Sequence, residues 1–206
     1  MNEIIKQEIP LEVSNSLTIV ENFRELKALG DAFAGSKMIP SNYQGKPMDC
    51  IIAIDMANRM DVSPLFVMQN LYVVQGKPSW SGQACMSLIK ASKDFKGAKP
   101  VYTGPPGSDS WGCSVHALEA STGKLVIGPT VTIKMAKEEK WLERPGSKWK
   151  TMPELMLAYR AAAFFARIYL PNALMGIHVE GEAEDISKTV TPPPENPFTV
   201  DAEVVE

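Results

Sequence analysis

Apolar residues recur at helical spacing near the start of the chain. Phe23, Leu26, Leu29 and Phe33 mark one face, which predicts an amphipathic helix. Thr18 and Glu21 stand at capping-box spacing at its start. Gly30 is a weak point inside it, and Gly35-Ser36 ends it. SNYQGKPMD is then rich in turn formers. MDCIIAIDMANRM predicts a second helix, with Ile51, Ile52 and Met56 among its buried positions. Ser63 followed by Pro64 predicts a further helix start, the serine as cap and the proline where its missing N–H costs nothing. LFVMQ continues it for a turn or two.

The pattern then shifts toward alternation. NLYVVQGKPSW places β-formers around a Gly-Lys-Pro turn, so a hairpin is expected. Ser81 is placed to cap GQACMSLIKAS, in which Cys85, Leu88 and Ile89 share a face. DSWGCSVHALEASTGKLVIGPTVTIKMA carries the clearest β signal. Two runs flank the polar turn Ser121-Thr122-Gly123-Lys124. Trp111, Cys113 and Val115 alternate with small or polar residues, and Thr130, Thr132 and Lys134 alternate against Val131 and Ile133, as in a half-buried antiparallel pair. TGPPGSDSWG follows no phosphate-loop spacing and reads as a flexible loop. A charged connection, KEEKWLERPGSKWKT, leads into TMPELMLAYRAAAFFARIYLP. There Thr151 and Glu154 are spaced for a capping box and Pro153 lies in the first turn. Leu155, Met156, Tyr159, Ala162, Ala163, Ala166 and Leu170 form the packed side, the run Ala161-Ala162-Ala163 lets a sheet approach closely, and Pro171 ends the helix. No internal repeat is visible.

The expected organisation is a loose N-terminus over 1–15, one α+β domain over 16–178 and an acidic, proline-bearing disordered tail over 179–206. In the domain, N-terminal helices precede a short antiparallel sheet packed on a long C-terminal core helix. Composition fits a globular chain, with 45% apolar and 22% charged residues. No apolar run is long enough to cross a membrane. The acidic start MNEIIKQEIPLEV lacks the features of a signal peptide, so a cytoplasmic location is expected. Cys50, Cys85 and Cys113 fit no zinc spacing and no disulfide framework, and read as buried thiols.

Net charge is −3 over the whole sequence, which hides an asymmetry. Residues 1–71 hold 6 Lys+Arg against 9 Asp+Glu, residues 72–170 hold 14 against 7, and residues 171–206 hold 1 against 8. A basic middle is flanked by acidic ends, which points to a polyanionic partner or to a solvated basic face. Arg160 and Arg167 are seven residues apart on the last helix, so they differ by about 20° around its axis and about 10 Å along it. Guanidiniums so aligned suit neighbouring phosphates of one strand; ion pairing or snorkelling over the core edge is the alternative. Trp149 sits between Lys148 and Lys150, Trp141 follows Lys140, and Trp80 follows Lys77 by three. Rings interleaved with lysines suit single strands, bases stacking while cations track the backbone. A tryptophan beside a lysine is also often a partly buried anchor.

Catalytic signals are scarce. The two histidines, His116 and His178, are 62 residues apart, and no metalloprotease, zinc, nucleophile-elbow or P-loop motif occurs. Asp49 and Asp55 make no persuasive metal pair. No cofactor is expected, and binding is favoured over catalysis.

WKTMPELMLAYRAAAFFARIYLP resembles the C-terminal core helix of phage single-strand annealing proteins of the RecT and lambda Beta family. The likeness lies in Trp149, Pro153, Met156-Leu157, Arg160-Ala161, Ala166-Arg167 and the ending Tyr169-Leu170-Pro171. QNLYVVQGKPSWSGQACMSLIKAS is similar to the family's strand–turn–helix, and VTIKMAKEEKW to the segment before its long helix. The match runs over roughly residues 45–178. The resemblance implies an α+β core, assembly into rings or helical filaments, and single-stranded DNA and annealed duplex held in a basic groove. It implies annealing of complementary strands without ATP, in phage recombination, beside a 5′→3′ exonuclease or a host single-strand-binding protein. The matching DNA-binding positions are Lys77, Trp80, Lys134, Lys148, Trp149, Lys150, Arg160 and Arg167. The chain is short for RecT, and TVTPPPENPFTVDAEVVE has no counterpart. A passive single-strand protector, or a nucleic-acid-processing enzyme with an unrecognised site, are the alternative readings.

Overall fold

The computed structural model describes residues 15–74 and 76–179. The expectations for the N-terminal 14 residues and for the acidic segment from 180 onward lie outside the described residues. The described chain mixes helices with small sheets whose pairing is mostly antiparallel, an α+β composition. It divides into two compact units, Met1–Gln69 and Asn70–Glu206.

The first unit is helical. Helix α1 spans Asn15–Ala34 and α2 Pro47–Met60. The first begins earlier than the capping-box spacing suggests, so Thr18 lies inside it. Gly30 has a packing reason to be there: a Cβ at this position would stand 2.5 Å from Ile51 Cγ1 and 2.9 Å from the Pro47 carbonyl oxygen. The absent side chain lets α1 and α2 approach closely. Ile51 and Met56 are buried, but Ile52 is 58% exposed, because α2 turns only one stripe inward. Helix α3, Pro64–Asn70, starts as expected: Ser63 Oγ accepts from the Phe66 N–H at 3.1 Å.

The second unit begins with a hairpin, β1 (Leu71–Val74) and β2 (Lys77–Trp80), in the register Val74↔Lys77 to Leu71↔Trp80. Lys77 and Pro78 are strand residues, not part of the turn, and Gly76 supplies the positive φ of 79°. Ser81 caps α4 (Gly82–Ala91), accepting from the Ala84 N–H at 3.0 Å. A second sheet follows, with β3 (Phe95–Thr103), β4 (Gly112–Glu119) and β5 (Leu125–Ile127) in that order, and β6 (Val131–Thr132) also paired to β4. The hairpin turn before β5 falls at Ser121–Lys124 as expected. The third strand was not expected. Its glycine and the one-residue register shift between Lys96 and Lys99 break the alternation that marks a strand.

Thr132 ends the β run because its side chain caps α5 (Ile133–Glu138), accepting from the Met135 N–H at 3.2 Å. Lys134 is therefore on a helix, not on a strand. A short 3-10 turn at Trp141–Glu143 and a loop lead to α6 (Pro153–Tyr169). Met152 is the residue before its first turn and makes no side-chain cap, so the Thr151–Glu154 capping box does not form. Helix α6 is buried on most of its circumference, with Leu157, Ala161, Ala162, Ala163, Phe165 and Ala166 fully inside and Leu155 40% exposed. It packs against α4 and β4. Gly82 makes the first contact close, since a Cβ there would lie 2.6 Å from Tyr159 Cβ. Phe165 meets Phe95 edge-on at 5.1 Å, locking the helix to the sheet. After a second 3-10 turn at Asn172–Leu174, strand β7 (His178–Val179) adds to β2 in parallel.

Candidate nucleic-acid interface

The segment between α5 and α6 reverses at Gly146, whose φ is 71°. The reversal brings Trp141 and Trp149 together, ring centres 5.2 Å apart and planes tilted by 36°. Ser147 secures the turn by donating to the Trp141 carbonyl at 2.7 Å and accepting from the Trp149 N–H at 3.3 Å. Arg160, on α6, places its guanidinium carbon 4.2 Å from the centre of the Trp141 ring and 5.0 Å from that of Phe164. Each such cation–π contact is worth about 0.5–2 kcal/mol, most where water is excluded. Arg160 is only 8% exposed. The loop is thus fastened to α6 by two indoles and a guanidinium.

This arrangement divides the Lys-Trp-Lys step. Trp149 is buried, whereas Lys148 and Lys150 on either side of it are exposed. Trp149 is the anchor and the two lysines are what it presents. A base cannot stack on Trp149 as it stands, because one neighbour already covers it and solvent reaches little of the rest. Trp141, Arg144, Trp149, Met156, Tyr159, Arg160 and Ala163 line a pocket of about 40 Å³. That holds a few waters and is far below the ~300 Å³ or more typical of a small-molecule site. Trp141 Nε1–H is buried and has no acceptor among the described residues, an unsatisfied donor that costs about 1–3 kcal/mol.

The other expected contacts separate. Trp80 is fully buried and donates through Nε1 to the Leu174 carbonyl at 3.2 Å. It is a core residue whose faces are closed to a base, a correction to the stacking expectation. Arg167, half-buried, donates to the Ile177 carbonyl at 3.3 Å. Both therefore hold the segment after α6 and deliver β7 to β2. The two arginines lie in line on α6, yet one sits under an aromatic loop and the other braces a turn. Lys77 is half-buried on β2, in the sheet formed by β1, β2 and β7, whereas Lys148 and Lys150 lie on a loop outside either sheet. Lys134 is exposed at the start of α5 and lies 3.8 Å from Glu138, a surface pair of small worth.

Sequence reasoning left Trp141 and Arg144 out of the site. The eight-residue spacing of the tryptophans around Pro145-Gly146 was the available signal, since a turn halfway between two rings lets them meet. Among the described residues no group of His, Cys, Asp and Glu could hold a metal ion, and no helix is long and apolar enough to cross a membrane. Compared with known proteins, the chain matches no family model, no curated protein and no solved structure.

Proposed function

We propose that this protein binds single-stranded DNA and anneals complementary strands without ATP, in phage homologous recombination in the bacterial cytoplasm. The observation that supports this reading is the pair of exposed lysines, Lys148 and Lys150, held on a loop clamped to α6 by Trp141, Trp149 and Arg160. In this reading α6 is the core helix of the annealing domain, and the basic charge of residues 72–170 lines the DNA path. Assembly into a ring or filament multiplies weak phosphate contacts by avidity, and an exonuclease or host single-strand-binding protein supplies or hands over the strand. Contacts to phosphates leave base edges free to pair. Annealing is downhill, since stacking gives about 1.4 kcal/mol per step. The protein has only to concentrate the strands, relieve their repulsion and hold them open.

The test is fluorescence-quench annealing of two complementary oligonucleotides, without ATP and over a range of salt, with Lys148→Ala/Lys150→Ala beside the unmodified chain. Salt-sensitive acceleration that the folded variant loses is the expected result. Binding with no acceleration would replace the reading with passive strand protection. Cleavage of labelled DNA in Mg²⁺ that tracks the purified protein would replace it with an enzyme.

A further inference from the structure

The second sheet leaves part of one face open: Ser114 at one end of it is buried and His116 half-buried, while Leu118, Leu125 and Ile127 at the other end are exposed. On β4, Cys113, Val115 and Ala117 are at most 1% exposed and lie on the face that α6 covers. Ser114, His116 and Leu118 take the opposite face by the two-residue alternation. Residues paired across antiparallel strands share a face, so the register builds two rows there. In one, Lys96 lies opposite Leu118 and Leu118 opposite Leu125. In the other, Lys99 lies opposite His116 and His116 opposite Ile127.

Each row runs from a lysine to an aliphatic side chain. Leu118, Leu125 and Ile127 are 46%, 56% and 52% exposed. Leu118 and Leu125 are directly opposed, about 5 Å apart, and Ile127 follows Leu125 by two residues on the same face of β5, about 7 Å away, so the three lie side by side as one apolar surface. Lys96 and Lys99 are exposed and carry no ion pair among the described residues, and the paired positions on this face include no carboxylate. The surface therefore asks for a partner that is aliphatic and acidic at once.

One segment of this chain has that composition. NPFTVDAEVVE, residues 196–206, combines Phe198, Val200, Val204 and Val205 with Asp201, Glu203 and Glu206, and contains no cation. The N-terminal MNEIIKQEIPLEVS is also apolar and acidic, but its Lys6 lowers the complementarity. Eighteen residues lie between Val179, the last described position, and Phe198. That is a reach of up to about 60 Å, ample for either face of a small sheet.

We propose that residues 196–206 dock in cis on the open face of β3, β4 and β5. The apolar side chains cover Leu118, Leu125 and Ile127, and the carboxylates neutralise Lys96 and Lys99. Docking withdraws these two lysines from any other polyanion and shields the one apolar patch described on this sheet. The proposal stands independently of the DNA-annealing reading, and its test uses no nucleic acid.

The experiment is photo-cross-linking of the full chain with p-benzoylphenylalanine in place of Phe198, in a mixture of isotopically light and heavy protein. Adducts within one chain on residues 114–127 are the expected result. The adduct yield falls at least fivefold in 1 M NaCl and in Lys96→Glu/Lys99→Glu. Lys96→Gln/Lys99→Gln gives a smaller loss in the same direction, and unchanged circular dichroism shows that both variants fold. Adducts only between chains, adducts on the first unit or on the Trp141–Trp149 loop, or no adducts would overturn the proposal. So would a yield indifferent to salt. Adducts on 114–127 that appear instead when the photoreactive residue replaces Ile5 would assign the face to the N-terminal segment and overturn it as well.

Discussion

The guanidinium carbon of Arg160 lies 4.2 Å from the centre of the Trp141 ring, and this contact ties the basic loop to α6. It also changes what a mutation at Arg160 would mean. A surface cation removed from a binding face leaves folding nearly untouched. A buried one stacked on two rings does not, because its stem and its planar head are part of the packing.

Arg160→Ala is therefore expected to destabilise the second unit by about 2 kcal/mol or more, from lost cation–π contact and lost packing. That corresponds to a fall in Tm of roughly 4–8 °C for a chain of this size. Thermal unfolding followed by circular dichroism checks it. A Tm within a degree of the unmodified chain would show that Arg160 contributes no structural support.

Lys148→Ala/Lys150→Ala should behave in the opposite way. Both side chains are exposed, so stability should change by no more than about 0.5 kcal/mol. Under the proposed function, affinity for a single strand falls about tenfold or more. The slope of log K against log salt shrinks by about 1.4, at roughly 0.7 per phosphate contact. Fluorescence anisotropy of a labelled oligonucleotide at several salt concentrations measures both. An unchanged salt slope would remove these lysines from the DNA path.

How much of this was legible in the sequence depends on what each signal encodes. The caps at Ser63 and Ser81 were readable because a hydroxyl before a helix has one common use, and both bond as expected. The polar turn before β5 was readable for the same local reason. Trp80 and Trp149 were not, since a lysine near a ring looks the same in sequence whether the ring is exposed or inside. Ring burial is set by residues distant in sequence, as the bond from Trp80 to Leu174 illustrates. Thr132 misled in a related way: it fits a strand alternation and a helix cap equally, and its bond to Met135 decides. The Arg160–Arg167 alignment was correct as geometry and silent about which neighbours each guanidinium meets.

Gly82 is a position where adding one methyl group should be costly. A Cβ there would approach the Tyr159 backbone oxygen to 2.9 Å as well as its Cβ to 2.6 Å, and neither atom, both fixed by the helix backbone, can swing away. Gly82→Ala is expected to cost about 1–3 kcal/mol through overpacking between α4 and α6, despite alanine's better helix propensity. Gly146→Ala would act differently, through the φ of 71°, by loosening the loop that brings Trp141 to Trp149. Urea unfolding midpoints of the two variants check the first cost. Tryptophan emission checks the second, shifting to the red only for Gly146→Ala. A Gly82→Ala midpoint equal to or above that of the unmodified chain would show that the helices part without strain.

Alkaline pH should expose the burial of Cys113. The thiol is fully inside, and burial, with a further push from Glu154, raises its pKa from 9.0 to about 11. In the unfolded chain the group ionises near its ordinary value, so between pH 9 and 11 the unfolded state binds fewer protons than the folded one. Stability contributed by the neutral buried thiol is therefore full below pH 9 and is lost as pH rises toward 11. Two pH units correspond to at most about 2.7 kcal/mol. Tyr102, raised to about 12 mainly by burial, acts in the same direction at higher pH, but it is 37% exposed and solvent screening reduces its share. Cys113→Ala should flatten the decline between pH 9 and 11 relative to the unmodified chain, whereas Cys50, whose pKa is also raised by burial, contributes equally to both and cancels. Equilibrium urea unfolding at half-unit steps from pH 8 to 11 measures the difference. Parallel curves for the two proteins would mean that the Cys113 site admits enough water to solvate a thiolate.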